Sequence, residues 1–194
     1  MKKEKEIRYI NEIQSADEES RKVEGYALVF NSESEDLGFI ETIEKDAIDD
    51  EVIAKSDVFA WLNHDEKRGC LARSRKGKGS LSLTIDDRGL KYSFEAPHTS
   101  LGNELLESLK RGDISASSFA FTVANGGDAW EKRNGRYYRT IKKIDRLYDV
   151  SPVYCPAYSE TSVACRSFDN IIKIEKDNLI DYWKSLDAEI DSIE

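Results

Sequence analysis

The sequence contains little histidine and little cysteine, and this scarcity restricts the chemistry that it can carry out. Only two histidines, His64 and His98, occur among 194 residues, together with three cysteines, Cys70, Cys155 and Cys165. There is no C-x-x-C pair and no H-x-x-H pair, so the ligand spacing of a zinc site is missing. We therefore expect no metal and no other cofactor. An odd cysteine count without a signal peptide predicts reduced thiols in a cytosol.

Long apolar runs and a basic surface are also missing. No apolar stretch approaches the roughly 20 residues that a membrane-spanning helix needs, and the N-terminus lacks the apolar core of a secretory signal. The net charge is −9. The densest basic stretch, Arg73 to Gly79, is short and interrupted by glycine, which excludes a typical nucleic-acid interface. With 39% apolar residues, the chain is long enough for one sizeable core.

Alternating apolar and polar residues, separated by turn residues, predict a protein made mainly of β-strands. Leu81, Leu83 and Ile85 alternate before Asp87-Arg88-Gly89, after which the alternation resumes, as in a β-hairpin. Asn134-Gly135 predicts a second hairpin turn. Further strands are expected at Arg21 to Asn31, at Gly112 to Val123 and in the stretch that begins at Arg146. The pattern predicts an α+β fold, most simply a closed or highly curved antiparallel sheet.

Two internal segments and the C-terminal tail carry helical patterns. Glu44 to Ser56 fits a short amphipathic helix. The segment from Ser100 has a leucine stripe, a cap at Thr99 or Ser100, and Gly112 as its C′ residue. We expect one domain at residues 1–169 and an acidic amphipathic helix at residues 170–194. The tail has a heptad-like spacing of apolar residues, at Leu179, Trp183, Leu186, Ile190 and Ile193. Two heptads do not distinguish a partner helix from one packed on its own domain.

A serine in the strand from Gly112 to Val123 is a candidate nucleophile. Because side chains alternate in direction along a strand, Ser117 shares a face with Phe119 and Phe121, which belong to the core. Ser118 then points the other way, onto a face of small residues that a substrate backbone can approach. An ordinary small strand residue is the alternative interpretation.

A base and an acid for such a serine can also be found. Histidine takes up a proton near neutral pH without large tuning. His64 follows an apolar run, whereas His98 lies in a loop and is the weaker candidate. Asp149 lies within an apolar stretch, where a lone carboxylate would be costly and must be paired. Asp65 and Asp113 are rival acids, although both are well explained as turn residues.

Six segments follow one another along the chain: "VEGYALVFN", "FAWLNHD", "GSLSLTIDDRGLKYSFEAP", "LLESLKRGDISASSFAF", "LYDVSPVYCPAY" and "TSVACR". In this order they resemble segments of the prohead (head-maturation) proteases of tailed bacteriophages. That family is related in fold to the herpesvirus assemblin proteases. The resemblance covers residues 20–168. It implies a β-barrel of assemblin type with a few surrounding helices.

The resemblance also implies a function and a set of residues. Such a protein is a serine endopeptidase that cleaves scaffold, capsid protein and itself inside the phage procapsid, in the host bacterial cytoplasm. The family histidine falls on His64, the serine on Ser118 and the acidic residue on Asp149. By similarity to the assemblin site, Arg166 is a candidate for stabilising the oxyanion. Because the herpesvirus relatives dimerise, a homo-oligomer is one expectation.

Departures from the family pattern and rival residues leave several alternatives open. The family often has glycine between the two phenylalanines, where this chain has Ala120. If that glycine allows the backbone of another segment to approach closely, the methyl group of Ala120 narrows the site. Ser117 directly precedes Ser118, so Ser117 is an alternative candidate for the nucleophile. Cys155 offers a thiol nucleophile instead, although we interpret it as a small buried residue. Finally, a catalytically inactive scaffold or assembly protein of the same fold is the alternative function.

Overall fold

The structure, a computed structural model, describes residues 5–10, 13–15, 20–154 and 171–184. The chain divides into two compact units, Met1–Tyr158 and Ser159–Glu194. The first contains the strands of the described residues, and the second contains the described helix 171–184.

The first unit consists mainly of strands. In chain order these are β1 (Glu6–Ile10), β2 (Ile13–Ser15), β3 (Lys22–Val29), β4 (Ile40–Ile43), β5 (Asp57–Ala60), β6 (Ala72–Arg75), β7 (Lys78–Gly79), β8 (Leu81–Ile85), β9 (Gly89–Glu95), β10 (Ala116–Val123), β11 (Asp128–Arg133), β12 (Arg136–Ile141) and β13 (Ile144–Val153). The helices are α1 (Asp50–Lys55), α2 (Ser100–Arg111) and, in the second unit, α3 (residues 171–184). The α+β class predicted from the sequence is confirmed.

The strands form three sheets. The largest has the order β1-β10-β13-β5-β6-β7, the second has the order β2-β3-β9-β8, and the third has the order β11-β12-β4. The two hairpins predicted from sequence are present as the pairs β8–β9 and β11–β12. Asn134 and Gly135 have φ angles of 51° and 80°, the left-handed values that a two-residue hairpin turn of this kind requires.

The predicted closed antiparallel barrel is not seen among the described residues. A barrel closes only when the first and last strands of one sheet pair with each other, whereas the six-stranded sheet ends at β1 and at the two-residue β7. The pairing is also not purely antiparallel, because β13 pairs with β5 and β12 pairs with β4 in parallel. Both parallel pairs join strands far apart in the chain, so local alternation carried no sign of them.

The helices of the first unit begin and end at residues that the sequence marks. The Thr99 hydroxyl accepts a hydrogen bond from the amide of Gly102 at 3.2 Å, and Gly112 ends α2 with a φ of 77°. The helix predicted between Glu44 and Ser56 is shorter than expected. A 3₁₀ turn at Lys45–Ala47 precedes α1, and Asp49 caps α1 through the amide of Val52.

The hydrophobic core lies between the sheets and includes one buried phenol. Phe119, Phe121, Val150 and Leu147 from β10 and β13 are almost fully buried. Tyr92 of β9 is fully buried among them, and burial raises the pKa of its hydroxyl far above the ordinary value although a hydrogen bond to Ser117 opposes the shift. The core therefore occupies one face of β10.

Five charged side chains form a second group, which we name the charge cluster: the buried Glu6, Arg8, Glu41 and Arg139 and the half-buried Asp128. Arg8 contacts Glu41 at 2.6 Å and Glu6 at 2.8 Å, while Arg139 contacts Glu6, Glu41 and Asp128 at 2.5, 3.0 and 2.8 Å. Burial alone would raise the pKa of Glu6, but the hydrogen bond and charge of Arg139, together with Arg8, outweigh it and lower that pKa. The cluster joins β1 to the three-stranded sheet.

The second unit contributes α3, which has several exposed apolar side chains. Leu179 and Trp183 are 56% and 57% exposed. The positions after 184 that complete the predicted heptad pattern lie outside the described residues. Within the part of the chain that the structure describes, no helix is long and apolar enough to cross a membrane.

Candidate active site

The loop after β5 places His64 in an unusual backbone conformation. Asn63 and His64 have φ angles of 55° and 59°, and the amide of Asp65 donates to the carbonyl of Leu62 at 3.1 Å. Two consecutive left-handed residues closed by this bond form a tight turn of type I′. The amide of Asn63 also donates to the carbonyl of Pro152 at 2.9 Å. This bond fixes the turn to β13.

The turn brings His64 against Ser118. The Nε2 atom of His64 lies 2.6 Å from the Oγ atom of Ser118. Ser117 faces the opposite side of β10, where its Oγ atom lies 2.7 Å from the hydroxyl of Tyr92 in the core. The two adjacent serines thus have different neighbours, in the arrangement that strand alternation predicts.

Asp149 stands behind the imidazole. Its Oδ1 atom lies 2.7 Å from the Nδ1 atom of His64, and the aspartate side chain is only 5% exposed. The Nδ1 atom is close enough for a hydrogen bond, but its N–H direction is not aligned with the carboxylate. Catalytic hydrogen bonds are often poorly aligned in proteins without bound substrate. An acceptor-only carboxylate at this distance favours the tautomer protonated at Nδ1, which leaves Nε2 free to accept the Ser118 proton.

The strand register explains why these groups meet. Ser118 of β10 is opposite Ser151 of β13, and Ala120 is opposite Asp149. Directly opposed residues in an antiparallel pair point to the same face, so β10 and β13 present the serine and the aspartate side by side. His64 reaches them from the end of β5, the next strand of the sheet.

Ala120 occupies the position where glycine was expected. It is buried, on the same face as Ser118, and the register of the β10–β13 pair shifts directly after it. Its methyl group is therefore on the face that carries Ser118 and Asp149, with Asp149 as its direct cross-strand neighbour.

An aromatic pair from β5 lies beside the acid. Phe59 is in register with Asp149, and its ring stacks on that of Trp61, with centroids 4.8 Å apart. The guanidinium of Arg73 lies 4.5 Å from the centre of the Phe59 ring. Phe59 is therefore the neighbour of Asp149 on the adjacent strand, and it belongs to a packed aromatic and cationic group.

The rival residues have other roles in the structure. The carboxylate of Asp65 accepts from the amide of Lys67 at 3.0 Å, and Asp113 pairs with Arg111 at 3.1 Å. His98 is exposed on a loop. Arg166, Cys155 and Cys165 lie outside the described residues, and Cys70 is an exposed free thiol. The described residues contain no group of three or more His, Cys, Asp or Glu side chains that is arranged to hold a metal ion.

Two features of the site were not recognised in the sequence. One is the left-handed turn at Asn63 and His64, for which Asn before a polar residue was the available signal. The other is Ser151, which bonds to Asp149 at 2.8 Å. The spacing of Asp149 and Ser151, two positions apart on one strand, places both on the same face and was sufficient to suggest the contact.

Comparison with known proteins gives one match. A family model described as caudovirus prohead serine protease matches residues 9–174. That range includes β10, β13, His64 and most of the other strands. A search of curated proteins and a search of solved structures found no match.

Proposed function

The chain belongs to the caudovirus prohead serine protease family, and on this premise we propose that it is an active serine endopeptidase that uses Ser118, His64 and Asp149. The observation that carries the proposal is the 2.6 Å approach of His64 Nε2 to Ser118 Oγ, with Asp149 at the opposite ring nitrogen. A serine hydroxyl that contacts an imidazole, which in turn contacts a carboxylate, is the arrangement that serine proteases use for acyl transfer.

Each residue has one role in the proposed reaction. His64 takes the proton of the Ser118 hydroxyl as Oγ attacks the scissile carbonyl, and later gives it to the leaving amine. Asp149 holds the Nδ1-protonated tautomer and stabilises the imidazolium while it exists. A water molecule, activated by His64, then hydrolyses the acyl-enzyme and restores Ser118.

The position of Ser118 within β10 affects how the oxyanion is stabilised. Ser118 is paired with Tyr9 of β1 on one side and with Ser151 on the other. In such a strand the amide of each residue is already bonded to a neighbouring strand. The oxyanion donors must then come from outside this ladder. This supports Arg166, proposed above from the resemblance, and Arg166→Lys is expected to lose most of the rate because the geometry of the donor changes.

The proposed substrates follow from the family. They are the scaffold protein and the major capsid protein of the same phage, together with the protease itself. We place the reaction inside the procapsid, in the cytoplasm of the bacterial host. The charge of −9 fits a protein that acts on proteins rather than on nucleic acid.

We also propose that residues 170–194 act outside the catalytic domain, as a segment that binds scaffold or a second copy of the protease. The exposed apolar side chains of α3, including Leu179 and Trp183, support this. A chain ending at residue 169 should cleave as well as the full chain but enter procapsids less often. Unchanged incorporation would count against this role.

Co-expression with the neighbouring capsid and scaffold genes, followed by intact-mass spectrometry, tests the main proposal. Wild type, Ser118→Ala and Ser117→Ala are compared. We expect defined truncations in wild type and Ser117→Ala and none in Ser118→Ala. Cleavage by Ser118→Ala but not by Ser117→Ala would move the nucleophile by one residue. Procapsids without any truncation would favour the inactive scaffold alternative.

Cys155→Ser is a further variant for the same experiment, because it tests the thiol alternative directly. We expect it to cleave like wild type. A large loss of cleavage together with normal folding would instead support a cysteine nucleophile.

A further inference from the structure

Ser151 is a buried polar residue that touches the proposed acid but has no part in the reaction as described above. It is fully buried and lies two residues after Asp149 on β13. Its Oγ atom lies 2.8 Å from Oδ1 of Asp149 and 3.3 Å from the backbone nitrogen of Trp61. One hydroxyl group therefore connects the end of β5 with the carboxylate.

The direction of these two hydrogen bonds follows from their chemistry. A backbone amide only donates, so Ser151 Oγ accepts from Trp61. A carboxylate only accepts, so the hydroxyl proton of Ser151 points at Asp149. The same Oδ1 atom is the one 2.7 Å from His64 Nδ1. It thus lies between two donors, one from each side.

We propose that Ser151 is a positioning residue that holds the Asp149 carboxylate with Oδ1 turned toward His64. This inference rests on the proposed function, in which Asp149 orients the imidazole. In the described part of the chain, Asp149 Oδ1 lies close to two side chains, Ser151 and His64. Without the Ser151 hydroxyl, the imidazole alone would orient the carboxylate. Rotation about its terminal torsion, which is a broad and soft one, then becomes easier.

The placement of Trp61 gives the hydroxyl its own support. The Trp61 ring stacks on Phe59, which is in register with Asp149 on β5. The amide from which Ser151 accepts is therefore part of a buried, packed segment. A chain of close polar contacts from Trp61 through Ser151, Asp149 and His64 ends at the proposed nucleophile, Ser118. Supporting groups of this kind fix reactive groups within the small tolerance that catalysis requires.

The test uses the full-length protein and two readouts. The first is the rate at which a fluorophosphonate reagent, which phosphonylates activated serines, labels Ser118, followed by intact mass. The second is the nitrogen NMR spectrum of protein labelled with ¹⁵N-histidine. The chain has only two histidines, and His98, exposed on its loop, is an internal reference for His64.

Three variants are compared with wild type. Ser151→Ala removes the hydroxyl, and Ser151→Thr keeps a hydroxyl at the same position. Ser117→Ala is the matched control, because it also removes a buried hydroxyl next to the site but one that bonds to Tyr92 in the core. Any effect of simply deleting a buried hydroxyl near β10 appears in that control as well.

We expect Ser151→Ala to label about 10- to 100-fold more slowly than wild type, as for the loss of one hydrogen bond to a charged group. Its His64 signals should shift from one Nδ1-protonated tautomer toward a mixture. Ser151→Thr should recover most of the rate, and Ser117→Ala should resemble wild type in both readouts.

The inference fails if Ser151→Ala labels at the wild-type rate with the His64 tautomer unchanged, since Ser151 then only fills space. It also fails if Ser117→Ala shows the same losses. A wild type that is not labelled at all contradicts the proposed protease activity instead. In that case the tautomer comparison still decides whether Ser151 positions Asp149.

Discussion

Strands β1 and β10 separate two polar groups that are built in different ways. On one face, Glu6 and Arg8 of β1 belong to the charge cluster. On the other face, Ser118 of β10 meets His64 and Asp149. In the charge cluster each guanidinium contacts at least two carboxylates. In the site, one carboxylate faces one imidazole with an imperfectly aligned N–H.

The difference shows how the same fold holds charge for two purposes. Multiple contacts fix the protonation of three of these groups, because the opposing charges and hydrogen bonds outweigh the effect of burial: they lower the pKa of Glu6 and raise those of Arg8 and Arg139. Such groups contribute to structure but do not exchange protons near neutral pH. The site instead leaves one ring nitrogen facing only a hydroxyl, so a proton can move. The comparison predicts that mutations in the two groups have separable effects.

Asp149→Asn should have the largest effect, and it should be on activity alone. The amide favours the wrong imidazole tautomer, so the fluorophosphonate labelling rate is expected to fall about 10⁴-fold. The urea midpoint of unfolding should change little because the side chain keeps its shape. Asp65→Asn is the control, and its labelling rate should equal that of wild type. A fast Asp149→Asn variant would remove Asp149 from the proposed mechanism.

Arg139→Met should have the converse effect, on stability alone. It leaves Glu6 and Glu41 with only Arg8 and removes the guanidinium that Asp128 contacts. Breaking such a buried arrangement costs about 3–5 kcal/mol in the free energy of unfolding. Urea denaturation measures this. Arg133→Met removes an exposed ion pair with Glu131 and should leave the midpoint unchanged.

At low urea, where Arg139→Met is still folded, its labelling rate should stay within about twofold of wild type, because the cluster does not touch the reacting groups. A large loss of rate in the folded variant would show that the two faces of β10 are coupled.

Asn63→Ala should have a smaller effect that reaches both properties. Alanine is less stable than asparagine or glycine in the left-handed conformation, so a loss of about 1 kcal/mol is expected, with slower labelling because His64 is displaced. Asn63→Gly fits the same φ and should retain wild-type behaviour. If alanine and glycine behave alike, the turn does not set the position of the imidazole.

The smallest effect concerns the dependence of stability on pH. Because the pKa of Glu6 is lowered in the folded protein from its ordinary value of 4.5, the unfolded chain binds the proton first as the pH falls. The stabilisation is therefore complete above the ordinary value and is lost as the pH falls toward the lowered one. Glu6→Gln should show a shallower decline of the urea midpoint in this window. High salt should preserve the contribution of Glu6, which is buried and weakly screened.

Local features of the sequence predicted much of the fold but not the pairing between distant segments. The caps of α2 and the turn at Asn134-Gly135 depend on neighbouring residues only, and both are present in the structure. The parallel pairs β13–β5 and β12–β4 depend on segments far apart in the chain. The charged residues Glu6 and Arg8 alternate with apolar ones, which normally indicates a solvent-facing strand edge, and nothing local shows that Glu41 and Arg139 cover them.

The same division applies to the candidate site. Alternation along β10 was sufficient to direct Ser117 to the core and Ser118 away from it. The distances among Ser118, His64 and Asp149 depend on the neighbouring positions of β10, β13 and β5 in one sheet, which one sequence does not reveal. The turn that contains His64 is likewise held by the hydrogen bond from the amide of Asn63 to the carbonyl of Pro152. These two residues are 89 positions apart in the sequence, and they meet only in the folded protein.

The positions of the three tryptophans give the molecule three separate optical reporters. Trp61 is buried next to the site, Trp130 lies under the guanidinium of Arg139 in the charge cluster, and Trp183 is exposed on α3. Indole emission moves to longer wavelength as solvent exposure increases. Variants that keep a single tryptophan would therefore give three independent fluorescence signals without any attached dye. Trp61 would report substrate binding, Trp130 would report unfolding of the charge cluster, and Trp183 would report partner binding by the C-terminal helix.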